Sequence, residues 1–405
     1  MHGYDLNDFK NGKAFIHFDG VINGKADYGP RICIDTNGNK LFELPNRDMI
    51  VNEFEDEDVA FVMGANGLYA LMNNKGKFLT DFVYNTICGG SEEGFFEATR
   101  YGKHGHIDIT GKEVVPCMYD DGGYFSEGVA PECLNGKWGM VDAHNNTIIP
   151  FEYEGICVCK NNLINAQKNG KYGFINKNNE VVLDFLYDEI DCWCTRECKV
   201  YPAQKDDKWG LIDRYGNVVE DFIYEDAQLI SENSDNAGEF IILLKEEYKA
   251  IYSTKKKGFI TDFDYTFIGY LSDNRFLVQQ DATTGFVDLN GDIVIPLIYE
   301  KCSFEDFSEG LCALYKSGKA GMIETIGLEV IPFEYYKLNS CHEGMIVAVN
   351  KKHETAILNR SGKIIVPFGK YHTHSSYSDG FIHVWTKDGR QTYLNKQGEE
   401  LEIKL

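Results

Sequence analysis

One pattern limits what this chain can fold into more than any other: it writes the same unit eleven times. Lys137 to Ile156 read KWGMVDAHNNTIIPFEYEGI, and Lys208 to Ala227 read KWGLIDRYGNVVEDFIYEDA. Anchored on the acid that follows the apolar pair, the slot recurs at Asp35, Asn73, Asp108, Asp142, Asn176, Asp213, Ser253, Asp288, Glu324, Asn359 and Asn395. Successive spacings run from 34 to 40 residues, so the copies span nearly all of the 405. Three residues after the anchor stands a Gly or Asn, among them Gly111, Asn145, Gly216, Gly291 and Gly362; in the seventh copy the glycine comes later, at Gly258. A tight hairpin holds a residue at positive φ, which Gly tolerates best and Asn next. The anchor carboxylate or amide can accept hydrogen bonds from the turn's amides. The spacing therefore predicts a β-hairpin in nearly every copy.

The flanks are short, β-branched and apolar, as in GMVD before the turn and TIIP after it, and they read as strands. Eight residues past the anchor comes Pro116, Pro150, Pro296, Pro332 or Pro367, or else Asp81, Asp184 or Asp221. Pro cannot donate to a ladder and Asp is poor in strands, so the strand is expected to end there. An aromatic follows, and at anchor plus eleven a Tyr, expected to pack in a core with its hydroxyl at an edge. A second signature, FSEG at 125–128 and 307–310, reads as a turn feeding a third strand. No window shows helical periodicity of useful length. A unit of about three strands cannot bury its own apolar face, so it must stack on its neighbours.

The residues GKWGMVDAHNNTIIPFEYE and DKWGLIDRYGNVVEDFIYEDA, with the FSEG element, resemble the WG β-repeat family. The likeness covers essentially the whole chain. The full pair survives at Trp138-Gly139 and Trp209-Gly210, and is degraded to His104-Gly105, Tyr172-Gly173, Thr284-Gly285 and Ala320-Gly321. The resemblance implies a bacterial-type all-β repeat scaffold and carries no enzymatic activity or common biochemical role with it. The expected fold is all-β: one array over residues 1–405, open, curved or superhelical, with residues 1–48 and 387–405 as atypical caps. The alternative is a propeller-like closed arrangement. Three strands per unit and eleven units favour the open form on the usual size of propellers.

Composition narrows the function classes. With 43% hydrophobic residues a large core is affordable. A net charge of −23 repels phosphate backbones, so no nucleic-acid partner is expected; it suits a basic one. The sequence opens on a polar MHGYDLNDFKNGK, without the layout of a secretory leader, and holds no apolar run of membrane-spanning length. Its twelve Cys have no framework spacing, which reads as reduced thiols in a cytoplasm.

No phosphate loop, nucleophile elbow or HExxH motif is present, and no catalytic residue or cofactor is expected. Cys192, Cys194 and Cys198 are the weak metal candidates, lacking the second pair a zinc site prefers. His104-Gly-His106 and His372-Thr-His374 have metal-compatible spacing; the first falls in the degraded Trp slot and the next apolar slot, and is read as drift within the repeat. Phe54, Glu55, Asp56, Glu57 and Asp58, with Glu305, Asp306, Phe307 and Glu309, mix acids with aromatics and are the candidate partner-binding residues. The expected function is a non-catalytic scaffold for a protein or peptide. Two alternatives are an acidic, immunity-like inhibitor masking a basic partner such as a nuclease, and a carbohydrate or small-ligand binder using aromatics in a concave groove.

Overall fold

The fold comes from a computed structural model that describes residues 3–22, 25–46, 48–54, 59–90, 93–159, 162–192, 198–230, 238–300 and 307–404. The chain divides into two compact units, one of residues 1–87 with 299–405 and one of residues 88–298. Among the described residues all regular structure is β, in eleven small antiparallel sheets. Six four-stranded sheets make up the 88–298 unit; the other unit has two of four strands and three of three.

The repeat hairpins form as the spacing predicts. In the copy anchored at Asp142 the amides of His144 and Asn146 donate to its Oδ1 at 2.8 Å each, and Asn145 takes φ +61°. Gly111, Gly216, Gly291 and Gly362 all sit at positive φ. In the seventh copy the positive φ falls on Lys257 rather than Gly258.

Two expectations about the strands need correction. First, the strand stops at Val366, just before Pro367, as expected, but in most copies it runs on through the Pro or Asp at anchor plus eight. Pro150 lies inside Thr147–Tyr153 and Pro296 inside Ile293–Tyr299, each exposed on the outermost strand of its sheet. An edge strand turns one row of amides to solvent, so a missing N–H costs nothing there and blocks unwanted pairing. Second, most sheets have four strands rather than three. The extra one is the short run just past the Tyr, such as Asp121–Gly122 or Glu189–Ile190, which pairs with the next copy's FSEG-type strand. Two residues are too few to show a period in sequence.

The Gly of each Trp-Gly slot is explained by the same outer strand. That strand carries a bulge between the pairs Trp138↔Tyr153 and Met140↔Ile149. A Cβ on Gly139 would stand 2.6 Å from the Ile149 carbonyl oxygen, so only Gly lets the bulge close.

Neighbouring sheets are joined by two devices. The Tyr at plus eleven stacks on the aromatic two places earlier in the following copy, as in Tyr119 on Phe151 at 5.6 Å and Tyr299 on Phe333 at 5.7 Å. Its hydroxyl donates to that copy's turn, Tyr119 to Asn145 Oδ1 at 2.7 Å and Tyr153 to Asn179 Oδ1 at 2.6 Å.

The FSEG element supplies the second device. Glu127-Gly128 and Glu309-Gly310 have consecutive positive φ values, +52° and +79°, then +52° and +74°, the mark of a type I′ turn. The carboxylate then accepts a backbone N–H from the next copy's turn. Glu93 takes the Gly128 amide and Glu127 the Asn162 amide; Glu309 takes those of Glu343 and Gly344, and Glu343 that of Gly380.

The same relay bears on the two arrangements expected for the ends. Within the unit of residues 1–87 and 299–405, Asp379 of the last sheet accepts the Gly12 amide of the first at 2.8 Å. Leu6, Phe9, Ile16 and Ile34 share a core with Tyr393 and Leu401. The tail bridges the first hairpin through Asn39 and Lys404, and the Lys404 amide donates to the Gly38 carbonyl at 2.7 Å. The last sheet thus neighbours the first as any copy neighbours its successor. Within this unit the two ends of the chain therefore meet, which supports the propeller-like alternative over the open array.

Candidate functional site

The site with the most chemistry lies in the 88–298 unit and is made by two adjacent copies. Strand Lys103–Asp108 holds His104 and His106; strand Val129–Leu134 of the next sheet holds Glu132. Residues two apart on a strand share a face, so both imidazoles point the same way. Glu132 is completely buried and takes one imidazole on each oxygen: His104 Nδ1 donates to Oε2 at 3.0 Å, His106 Nε2 to Oε1 at 2.9 Å. Both His are buried, and the three ligand-type atoms lie within 4.8 Å of one another. His106 packs edge-on against Phe125 at 4.8 Å.

A fourth group stands nearby. Glu97, directly opposite His106 on the neighbouring strand, places Oε2 3.9 Å from His104 Nε2. That is ion-pair range but too long for a hydrogen bond, and His104 Nε2 has no hydrogen-bond partner. Burial pulls the His104 pKa down, but the carboxylates of Glu132 and Glu97 outweigh it and lift it from 6.5 to about 9.

The sequence held a signal for this site that reading each copy alone misses. Where Glu132 stands, other copies have Ala98, Ala166, Ala203, Val278 and Ala348. Where His106 stands they have Met140, Phe174, Leu211, Phe286 and Met322. Gly122 faces Glu132 across the ladder, whereas the matching pairs elsewhere are Ile156↔Ala166 and Ile190↔Ala203. A Cβ on Gly122 would lie 2.1 Å from His104 Nδ1 and 2.6 Å from Glu132 Oε2. Apolar residues have become polar, and a large one has become Gly to make room, all at one place.

The other candidates fare differently. Cys194 lies outside the described residues. Cys192 and Cys198 are both buried; Cys192 Sγ faces Cys157 Sγ of the preceding copy at 3.5 Å, beside a cavity of about 280 Å³ lined by Asn165, Tyr172 and Glu189. His372 and His374 do meet, Nε2 to Nε2 at 2.9 Å, on an exposed face next to Trp385.

Of the candidate partner residues, Glu55, Asp56, Glu57, Asp58, Glu305 and Asp306 lie outside the described residues. Phe54 lies at the end of strand Ile50–Phe54. Phe307 is buried, and Glu309 is spent on the relay to Glu343 and Gly344. Burial pushes the Glu309 carboxyl up, but the Gly344 amide, Cys341, Glu343 and Arg360 together hold it below the usual glutamate range. Its contribution is therefore present above that range and fades as pH falls through the lowered value. Glu309→Ala is expected to destabilise its unit by about 1–2 kcal/mol by leaving two turn amides without an acceptor, read as a shift in the urea midpoint.

Sequence reasoning also passed over the outer strands. Val181 and Leu186 on Val181–Tyr187 are each 54% exposed, and Val218 and Ile223 on Val218–Tyr224 are 55% and 47% exposed. These strands edge adjacent sheets that share one core. Exposed Asp184 and Asp221 stand between the apolar residues. Among the described residues no helix is long and apolar enough to cross a membrane.

Comparison with known proteins bears mainly on family. No curated protein matches the chain in sequence. Among solved structures it is similar to a eukaryotic initiation factor at 10% identity, covering 73% of this chain and 92% of that one, with a TM-score of 0.44. It is also similar to BamB from Moraxella catarrhalis at 10% identity, 76% and 95% coverage and a TM-score of 0.35. Hsv2p of Kluyveromyces lactis stands at 10%, 68% and 95%, and 0.34. The WG containing repeat model matches residues 105–138, 138–172, 172–209 and 285–319. Those segments begin on or beside the Gly105, Trp138, Tyr172 and Gly285 slots that recur in phase along the sequence, and so the chain carries repeats of the WG containing repeat family.

Proposed function

We propose that the chain is a non-catalytic scaffold that binds a protein or peptide across the outer strands of its 88–298 unit. The observation that carries this reading is the exposed set Val181, Leu186, Val218 and Ile223, at matching positions of two adjacent sheets. The residues that recur through the copies are taken up by turns, stacking and the carboxylate relay, and none of those roles needs these four apolar side chains in water. Apolar groups repeated on neighbouring exposed edges supply anchoring area. Asp184 and Asp221 beside them, and the charge of −23, favour a partner with basic residues around an apolar core.

The test is affinity capture from the native cell with the wild-type chain and with a Leu186→Asp/Ile223→Asp variant. Both substitutions are on the surface, so the fold is expected to change in stability by less than about 0.5 kcal/mol. The wild type is expected to retain a partner that the variant loses, with affinity falling as salt is raised. A partner held equally by both forms, or turnover of a metabolite by the purified chain, would remove the reading.

A further inference from the structure

We infer that His104, His106 and Glu132, with Glu97 behind His104 as a supporting carboxylate, form a buried structural site for one divalent transition-metal ion of the zinc class. The separations suit it. Ligand atoms about 2.0–2.1 Å from one tetrahedral ion stand about 3.3 Å apart, a few tenths of an ångström more than the 3.0 and 2.9 Å between Glu132 and the two imidazoles. Imidazole nitrogen with carboxylate oxygen selects zinc and its neighbours over magnesium or calcium, which take oxygen alone.

The charge also fits. Two carboxylates and two neutral imidazoles carry two negative charges, which one divalent ion balances where burial makes unbalanced charge costly. His104 Nε2, buried and without a hydrogen-bond partner, looks toward the Glu97 carboxylate, which favours the ring's one proton on Nε2 and leaves Nδ1 for the ion. The concerted change of residue type is the second line of argument. His106, Glu132 and Gly122 depart together from columns that other copies fill with apolar residues, and they touch. Drift would scatter such changes, because each alone puts a polar group or a gap into a packed core. With Glu132 fully covered, the site ties two sheets together rather than presenting an open coordination position to a substrate.

The experiment uses the full chain, stripped with a chelator and refilled. Zinc content is measured by elemental analysis, affinity by calorimetry with Zn²⁺, and ligation by the visible spectrum of bound Co²⁺, with Mg²⁺ as control. The decisive variant, His104→Trp/His106→Met/Gly122→Ile/Glu132→Ala, installs the residues of the next copy (Trp138, Met140, Ile156 and Ala166), a set that already packs in this fold. Wild type is expected to take one Zn²⁺ per chain and to melt higher with it, and the variant to lose binding by at least about 100-fold. Glu97→Gln is expected to weaken binding about 10–100-fold, and it keeps the test decisive should the fourfold variant not fold. No Zn²⁺ uptake by wild type, or uptake unchanged in both variants and abolished by His372→Ala, would overturn the assignment.

Discussion

Gly291→Ala is expected to destabilise the 88–298 unit by about 3 kcal/mol or more, among the largest losses for any one-carbon change in the molecule. Two effects add. Gly291 sits at φ +88°, where a side chain is strained, and its Cβ would stand 1.8 Å from the Ile260 carbonyl oxygen of the preceding copy. The obstacle is backbone, so no rotamer change can relieve it. Gly136 provides the control. It has φ +73° but nothing within 4 Å of its Cβ, so Gly136→Ala should cost only about 1 kcal/mol. Chemical denaturation of the two variants separates the terms: equal losses would mean that contact between copies is not what makes Gly291 irreplaceable.

Glu132→Ala alone is expected to cost about 3 kcal/mol in metal-stripped protein, because it leaves a buried cationic His104 and a buried His106 without their shared acceptor. The fourfold variant removes Glu132 and both imidazoles together and refills the space, so it should match or exceed the stripped wild type in stability. A non-additivity of that sign between neighbours is the signature of one coupled cluster. The pH dependence follows from His104, whose pKa is raised from 6.5 to about 9 on folding. A raised imidazole pKa gives stabilisation that is whole below 6.5 and lost as pH climbs through about 9. The gap between stripped wild type and Glu132→Ala should therefore narrow across that window. Melting curves at pH values on both sides of it check this, and a gap that stays constant would place the proton elsewhere.

The relay of FSEG carboxylates shows how far local reading goes. That Glu127-Gly128 and Glu309-Gly310 make turns was legible, because positive φ at Gly follows from the residue itself. That the Glu side chain leaves its own copy and accepts the next copy's amides was not, since the sequence leaves open which neighbour lies within hydrogen-bond distance. Glu309 and Phe307 looked like a surface feature for this reason. An acid beside an aromatic has the same composition whether it faces solvent or clamps a turn.

By itself the sequence determined the repeat, its hairpins and the Tyr column, all of which express backbone and packing constraints that recur within a single unit. Only the tertiary structure decided how the first and last sheets meet through Asp379 and Gly12, and that Glu132 reaches His104 and His106 from the following copy. The physical reason is the same in both cases. Such contacts pair side chains with groups on a neighbouring sheet, and their register depends on how whole sheets pack, which no single copy encodes.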